Sequence, residues 1–150
     1  MKQSAGILLY RREKKVTEVF LVHPGGPFWK NKDEGSWSIP KGEFTEGEDP
    51  LDAAKREFKE ETGVSCEGEF IELSPVKLKS GKMIFAWAQE KDINPELVKS
   101  NFFEMEWPPK SGKKMSFPEI DKGGWFIPAE AKQKINATQS AFIDELLYKI

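Results

Sequence analysis

Residues 49–63 carry the marks of a helix at both ends. Asp49 can cap the first turn, Pro50 suits the first helical position, Asp52 adds an acid there, and Gly63 supplies the stop. Between them Leu51, Ala54 and Phe58 recur at i, i+3 and i+7, an apolar stripe narrow enough to call for a sheet to lie on. The same helix gathers Glu57, Glu60 and Glu61 at i, i+3 and i+4, within one sector of roughly 100°. These acids fall in the last turn and a half, where the helix dipole disfavours each exposed carboxylate by about 0.3–1 kcal/mol. Arg56 offsets part of this as the i, i+4 partner of Glu60, and Lys59 adds a second base. Two readings follow: a solvated acidic face, or a bound divalent cation. Oxygen ligands alone suit Mg²⁺ or Mn²⁺, not zinc.

Around this helix the chain reads as a mixture of strands and helices. Strands are predicted over 3–10 and 16–23, a hairpin whose turn is the charged run 11–15. Residues 24–36 form a breaker-rich loop carrying Phe28 and Trp29, and 37–39 form a short strand ending at Pro40. Further strands are expected over 69–73, 75–78, 83–89 and 124–127, with 83–89 central, and a short helix starts at Asn94-Pro95. Ile143, Leu146, Leu147 and Ile150 mark a closing C-terminal helix. The class is α/β, helices on a mixed sheet, and 150 residues without a linker or repeat make one domain over 1–150.

Composition removes several functions. With 38% hydrophobic residues, five Trp and eleven Phe, the chain is not disordered. Its longest apolar runs, 7–10 and 19–22, fall far short of the ~20 residues of a membrane helix. Residues 1–6 lead into a strand-like segment and not an apolar block, so no export signal is expected and the address is cytoplasmic. Cys66 stands alone, in keeping with a reducing compartment. A net charge of −2 argues against broad nucleic-acid binding. Charge is uneven, however: residues 41–61 hold eight acids against four bases, while 110–114 hold three lysines and no acid. That pattern suggests one bound cation and one bound anion. Nothing fixes an oligomeric state.

Reading back from the glutamates, Gly42 is followed after five residues by Glu48, and after seven more by Arg56-Glu57-Phe58-Lys59-Glu60-Glu61-Thr62-Gly63-Val64. This matches the Nudix box, Gly-x5-Glu-x7-Arg-Glu-U-x-Glu-Glu-x-Gly-U with U apolar, at every fixed position; a chance match at a given start is on the order of 10⁻⁸. Through these residues the chain resembles the Nudix hydrolases. The resemblance implies an α/β/α sandwich with a mixed sheet and a catalytic loop–helix–loop, and hydrolysis of a nucleoside diphosphate linked to another moiety with Mg²⁺ or Mn²⁺. It further implies Glu57 and Glu61 as metal ligands, Glu60 in or next to that set, and a backbone carbonyl from Gly42 or Lys41. Arg56 then resembles the residue that holds the glutamates, and Glu48 the one that braces the loop. Phe58 stands where the family often has an aliphatic residue.

The resemblance also implies a carboxylate from outside the helix, as base or ligand, and Glu119 is the candidate; it reads equally as an exposed loop acid. Lys41 is a phosphate contact or a surface lysine. Phe28, Trp29 and Trp107 stack on a base or fill the core. His23 reads as a strand-end residue, and Lys110, Lys113 and Lys114 as polyphosphate-steering or merely solvated. Residues 79–81 carry Lys-Ser-Gly where some subgroups have a marker proline or tyrosine. The run 37–42 resembles dinucleoside polyphosphate and nucleoside triphosphate hydrolases, which are the two expected substrate classes. The competing class is a non-catalytic nucleotide-sensing or protein-binding module on the same fold.

Overall fold

A computed structural model describes residues 3–150; Met1 and Lys2, which open the segment read for an export signal, lie outside the described residues. The sheet is built on β1 (Gln3–Glu13). Alternation along this strand sends Ile7 and Leu9 into one core and Leu8 and Tyr10 into the other. On one side β1 pairs in parallel with β5 (Met83–Glu90). Its other side is divided: residues 3–6 pair with β3 (Lys41–Phe44), and residues 10–13 with β2 (Val16–Pro24). With β4 (Ile71–Lys77) and β8 (Ile120–Phe126) the order is β4-β5-β1-β2-β8, so β5 is interior.

Helix α1 (Pro50–Thr62) covers one face, and α2 (Pro128–Lys134) and α3 (Ser140–Lys149) cover the other. This is the α/β/α sandwich with a mixed sheet. Ala53, Ala54 and Phe58 of α1 pack on Ala5, Ile7, Leu9 and Phe20. Leu51 ends up at the margin and Ala53 takes its place in the stripe. Phe58 is fully buried, so the aromatic departure is absorbed by packing. Phe58→Ala is expected to cost about 3–5 kcal/mol in chemical denaturation, as truncation of a buried aromatic ring should. Ile143 and Leu146 of α3 are buried, whereas Leu147 is exposed. Among the described residues no helix is long and apolar enough to cross a membrane.

Several boundaries differ from the sequence reading, each for a local reason. The hairpin turn is only Lys14 and Lys15, both left-handed (φ 49° and 67°); Arg11 and Arg12 continue the strand. Arg11 stays in the ladder because it pairs with Glu18 opposite it and with Asp92, both at 2.9 Å. Residues 37–39 make only isolated bridges, Ser38 to Val22 and Trp37 to Ile135. Pro40 has no N–H to extend that pairing, and the chain changes partner from β2 to β1, so the true strand starts at Lys41. The two strands expected over 69–78 are the single edge strand β4, with a bulge between Leu73 and Val76 that accommodates Pro75. The hairpin of β6 (Phe102–Glu106) and β7 (Lys114–Pro118) was not expected at all, nor was α2.

Candidate active site

Helix α1 begins where Asp49 accepts the Asp52 N–H at 3.1 Å and ends at Gly63, whose left-handed backbone (φ 81°) lets its N–H donate to the Lys59 carbonyl at 2.8 Å. This fixes the turn that carries the acids. Arg56 lies over them and binds in three directions. Its guanidinium donates twice to Glu48, both at 2.9 Å, once to Glu57 Oε1 at 2.8 Å, and more weakly to Glu60 Oε1 at 3.4 Å. The loop before the helix and the acids on it are thus joined through one planar fork. These contacts hold the Glu48 carboxyl below its ordinary range.

The second anchor is β3. A Cβ built on Gly42 would lie 1.9 Å from Glu57 Oε2, so the absence of a side chain there is what lets this carboxylate lie against the strand. Glu57 is 9% exposed, and burial raises its pKa, with Glu60 adding and Arg56 opposing. Glu61 is half-buried, and its Oε1 accepts the Lys41 N–H at 3.1 Å. Burial pushes the Glu61 carboxyl up to about 8; Glu57 and Glu119 push the same way, and Lys41 opposes through its N–H and its charge. Lys41 itself is lowered, by burial first. Glu119, between β7 and β8, is raised by burial and then by Glu60. The structure therefore brings Glu48, Arg56, Glu57, Glu60, Glu61, Lys41, Gly42 and Glu119 into one electrostatic neighbourhood.

Among the described residues no three His, Cys, Asp or Glu side chains converge as a finished metal cage. The reason lies in their partners: Arg56 takes up Glu57 and Glu60, while Glu61 turns to Lys41. The donor set nonetheless suits a hard dication. It consists of oxygen ligands only, two of them on carboxylates whose charged form burial disfavours, and a nearby cation would relieve that cost.

The aromatic residues divide. Phe28 is 64% exposed and meets Trp107 edge to face, centroids 6.1 Å apart. Trp29 is also exposed, with the Lys32 ammonium 5.0 Å from its ring. The loop bearing Phe28 and the β6–β7 hairpin bearing Trp107 touch again where Phe103 closes on Gly26. Lys110, Lys113 and Lys114 sit on the exposed end of that hairpin. His23 is buried, its ring nitrogens 2.9 Å from Asp121 and 2.6 Å from the Lys32 carbonyl, where it ties down the loop. Residues 100–101, which root the hairpin beside Glu119, were missed; their contacts run through backbone groups and a serine hydroxyl, which leave no spacing signal.

A 67-residue segment is 36% identical to an RNA pyrophosphohydrolase of Bartonella henselae, covering 42% of this chain and 36% of that protein. A 68-residue segment is 38% identical to an asymmetrical bis(5'-nucleosyl)-tetraphosphatase of Mus musculus, covering 41% of this chain and 46% of that one. The chain thus matches less than half the length of either curated relative. Over its whole length the fold is similar to that of a C. elegans Ap4A hydrolase in a binary complex, with a TM-score of 0.68 at 20% identity, covering 99% of this chain and 96% of the other. The family model described as NUDIX domain matches residues 1–146, and the chain belongs to the Nudix family.

Proposed function

We propose that the protein is a metal-dependent hydrolase that cleaves a phosphoanhydride bond in a nucleoside diphosphate derivative. Dinucleoside polyphosphates and nucleoside triphosphates are its substrate classes, and Mg²⁺ or Mn²⁺ is its cofactor. The observation that carries this reading is Glu61, a half-buried carboxylate on the acid face of α1 that accepts the Lys41 N–H at 3.1 Å; burial pushes it up to about 8, and the charges of Glu57 and Glu119 push the same way. A group in that state is costly to keep charged unless a cation joins it. Nudix hydrolases generally use divalent metal ions, and a dication held there would activate water and shield charge on the phosphates.

The chain's own residues supply the rest. Arg56 holds Glu57 and Glu60 in place, and Glu48 holds Arg56. Lys41 puts a positive charge beside Glu61, where it can contact a phosphate. Glu119 offers a carboxylate from outside the helix, as base or further ligand. Phe28 and Trp107 present ring surface to a base from two separate elements, each stacking contact being worth roughly 1–3 kcal/mol. The mouse relative's name supports the dinucleoside polyphosphate class. All box glutamates are retained, which weighs against a non-catalytic binding module. The reading takes residues 1–150 as one domain working in the cytoplasm on a small nucleotide, without stable binding to nucleic acid or membrane.

The test is incubation with Mg²⁺ or Mn²⁺ and a panel of nucleoside triphosphates, oxidised nucleotides, dinucleoside polyphosphates and nucleotide sugars. A 5'-triphosphorylated RNA joins the panel because of the Bartonella relative's name. Cleavage of a dinucleoside polyphosphate or a nucleoside triphosphate, abolished by a chelator, is the expected outcome. No cleavage of any member overturns the reading in favour of the binding module.

A further inference from the structure

Glu119 is an exposed residue with a partly desolvated carboxyl, and its backbone is held on both sides. Its N–H donates to the Asn101 carbonyl at 2.9 Å, and its carbonyl accepts the Gly25 N–H at 2.8 Å. The Asn101 N–H donates in turn to the Glu60 carbonyl at 3.0 Å. The chain entering the β6–β7 hairpin is therefore bonded both to the acid-bearing turn of α1 and to the residue that leaves the hairpin.

Ser100 fastens this root. It is 9% exposed, its Oγ accepts the Ile120 N–H at 3.0 Å, and its hydroxyl has the Asn101 carbonyl at 2.9 Å and the Ile120 carbonyl at 3.3 Å to donate to. One small side chain thus both accepts and donates across the two ends of the hairpin, a pair of roles that only a hydroxyl of this size fills. Removing it takes the side-chain acceptor at 3.0 Å away from the buried Ile120 N–H, immediately after Glu119. On the far side a Cβ at Gly25 would lie 2.0 Å from the Pro118 carbonyl oxygen, so the segment has backbone pressed against it there too.

We propose that Ser100 is a positioning residue: its hydroxyl closes the root of the β6–β7 hairpin and so fixes the backbone that carries the Glu119 carboxylate. This rests on the role given to Glu119 above.

The experiment is a double-mutant cycle, measuring kcat and KM on the best-cleaved nucleotide of the panel with the same metal throughout. Ser100→Ala is expected to lower kcat about tenfold with KM within about threefold, since a displacement near 1 Å in a reacting group can cost up to about 10² in rate. Ser100→Thr, which keeps the hydroxyl, stays within about threefold of the parent in kcat, and Ser100→Cys, a weak donor and acceptor, falls between. In a Glu119→Gln background Ser100→Ala adds less than about twofold, because the group it positions is already gone. A purely structural serine would give losses that multiply, and that result overturns the proposal. So does a Ser100→Ala protein as active as the parent. Should Ser100→Ala not fold, the graded Thr and Cys variants carry the same comparison, and equal activity in both overturns it. Glu119→Gln with the parent's kcat would remove Glu119 from the site and this role with it, while leaving the hydrolase reading intact. A wild-type protein that cleaves nothing in the panel overturns both.

Discussion

Glu61→Gln is expected to lower turnover at least ~10²-fold, as loss of a carboxylate in the proposed metal-holding role should, and to make the metal-free protein more stable at alkaline pH. The second half follows from linkage. The Glu61 carboxyl has an ordinary value of 4.5 and is pushed up to about 8 in the folded protein, first by burial. For an acid raised on folding, the native state binds the extra proton, so its contribution to stability is undiminished below about 4.5 and is lost as pH rises towards 8. Glutamine carries no such penalty. In chelator, the melting temperatures of parent and variant are expected to converge near pH 4.5 and to separate in favour of glutamine at pH 8 and above. Adding Mn²⁺ at pH 8 should raise the parent's melting point more than the variant's. Unchanged turnover, or a variant less stable than the parent at pH 8 in chelator, would remove Glu61 from the role assigned to it.

Arg56→Ala is expected to fall nearly as far. It removes the one ion-pair partner that Glu57, 9% exposed, has among the described residues, and it unties Glu48. Loss of a charged hydrogen bond to a buried carboxylate costs about 1.5–3 kcal/mol, nearer the lower figure because the guanidinium itself is 40% exposed and screened. Turnover should drop about 10²-fold, since both held glutamates lose their orientation. Arg56→Lys separates charge from geometry. An ammonium restores part of the stability lost in chemical denaturation but cannot reach Glu48, Glu57 and Glu60 from one plane, so turnover stays near that of the alanine variant. A lysine variant with parental turnover would show that only the charge matters.

What the sequence made legible was what short-range chemistry determines. The ends of α1 could be read because Asp49, Pro50 and Gly63 act on backbone groups within a turn of themselves. The acid face of α1 could be read because helical spacing alone places Glu57, Glu60 and Glu61. The partners of those acids could not be. That Lys41 would donate its N–H to Glu61, or that Gly42 would give Glu57 room, depends on β3 pairing with β1 in a register no local pattern announces. The contact between Phe28 and Trp107 was equally hidden, because each aromatic lies beside prolines and glycines that read as loop. The β6–β7 hairpin was lost for a related reason: its lysines and the Pro108-Pro109 step masked a modest alternation of apolar residues. Helix α2 did carry signals, Pro128 at its start and lysines in its last turn, and it was overlooked only because it is short.

The divided edge of β1 has a wider consequence. Because one half of that strand holds β3 and the other half holds β2, the stretch bearing Lys41 and Gly42 is zipped into the centre of the molecule at one end and clasped by Arg56 through Glu48 at the other. It cannot swing open or shut as a flap. Adaptation to guests of different shape must then come from the two excursions that stand outside the ladder, the 24–36 loop and the 102–118 hairpin. Under the proposed function, substitutions there would change which nucleotide fits while the acid-bearing turn of α1 stays where it is.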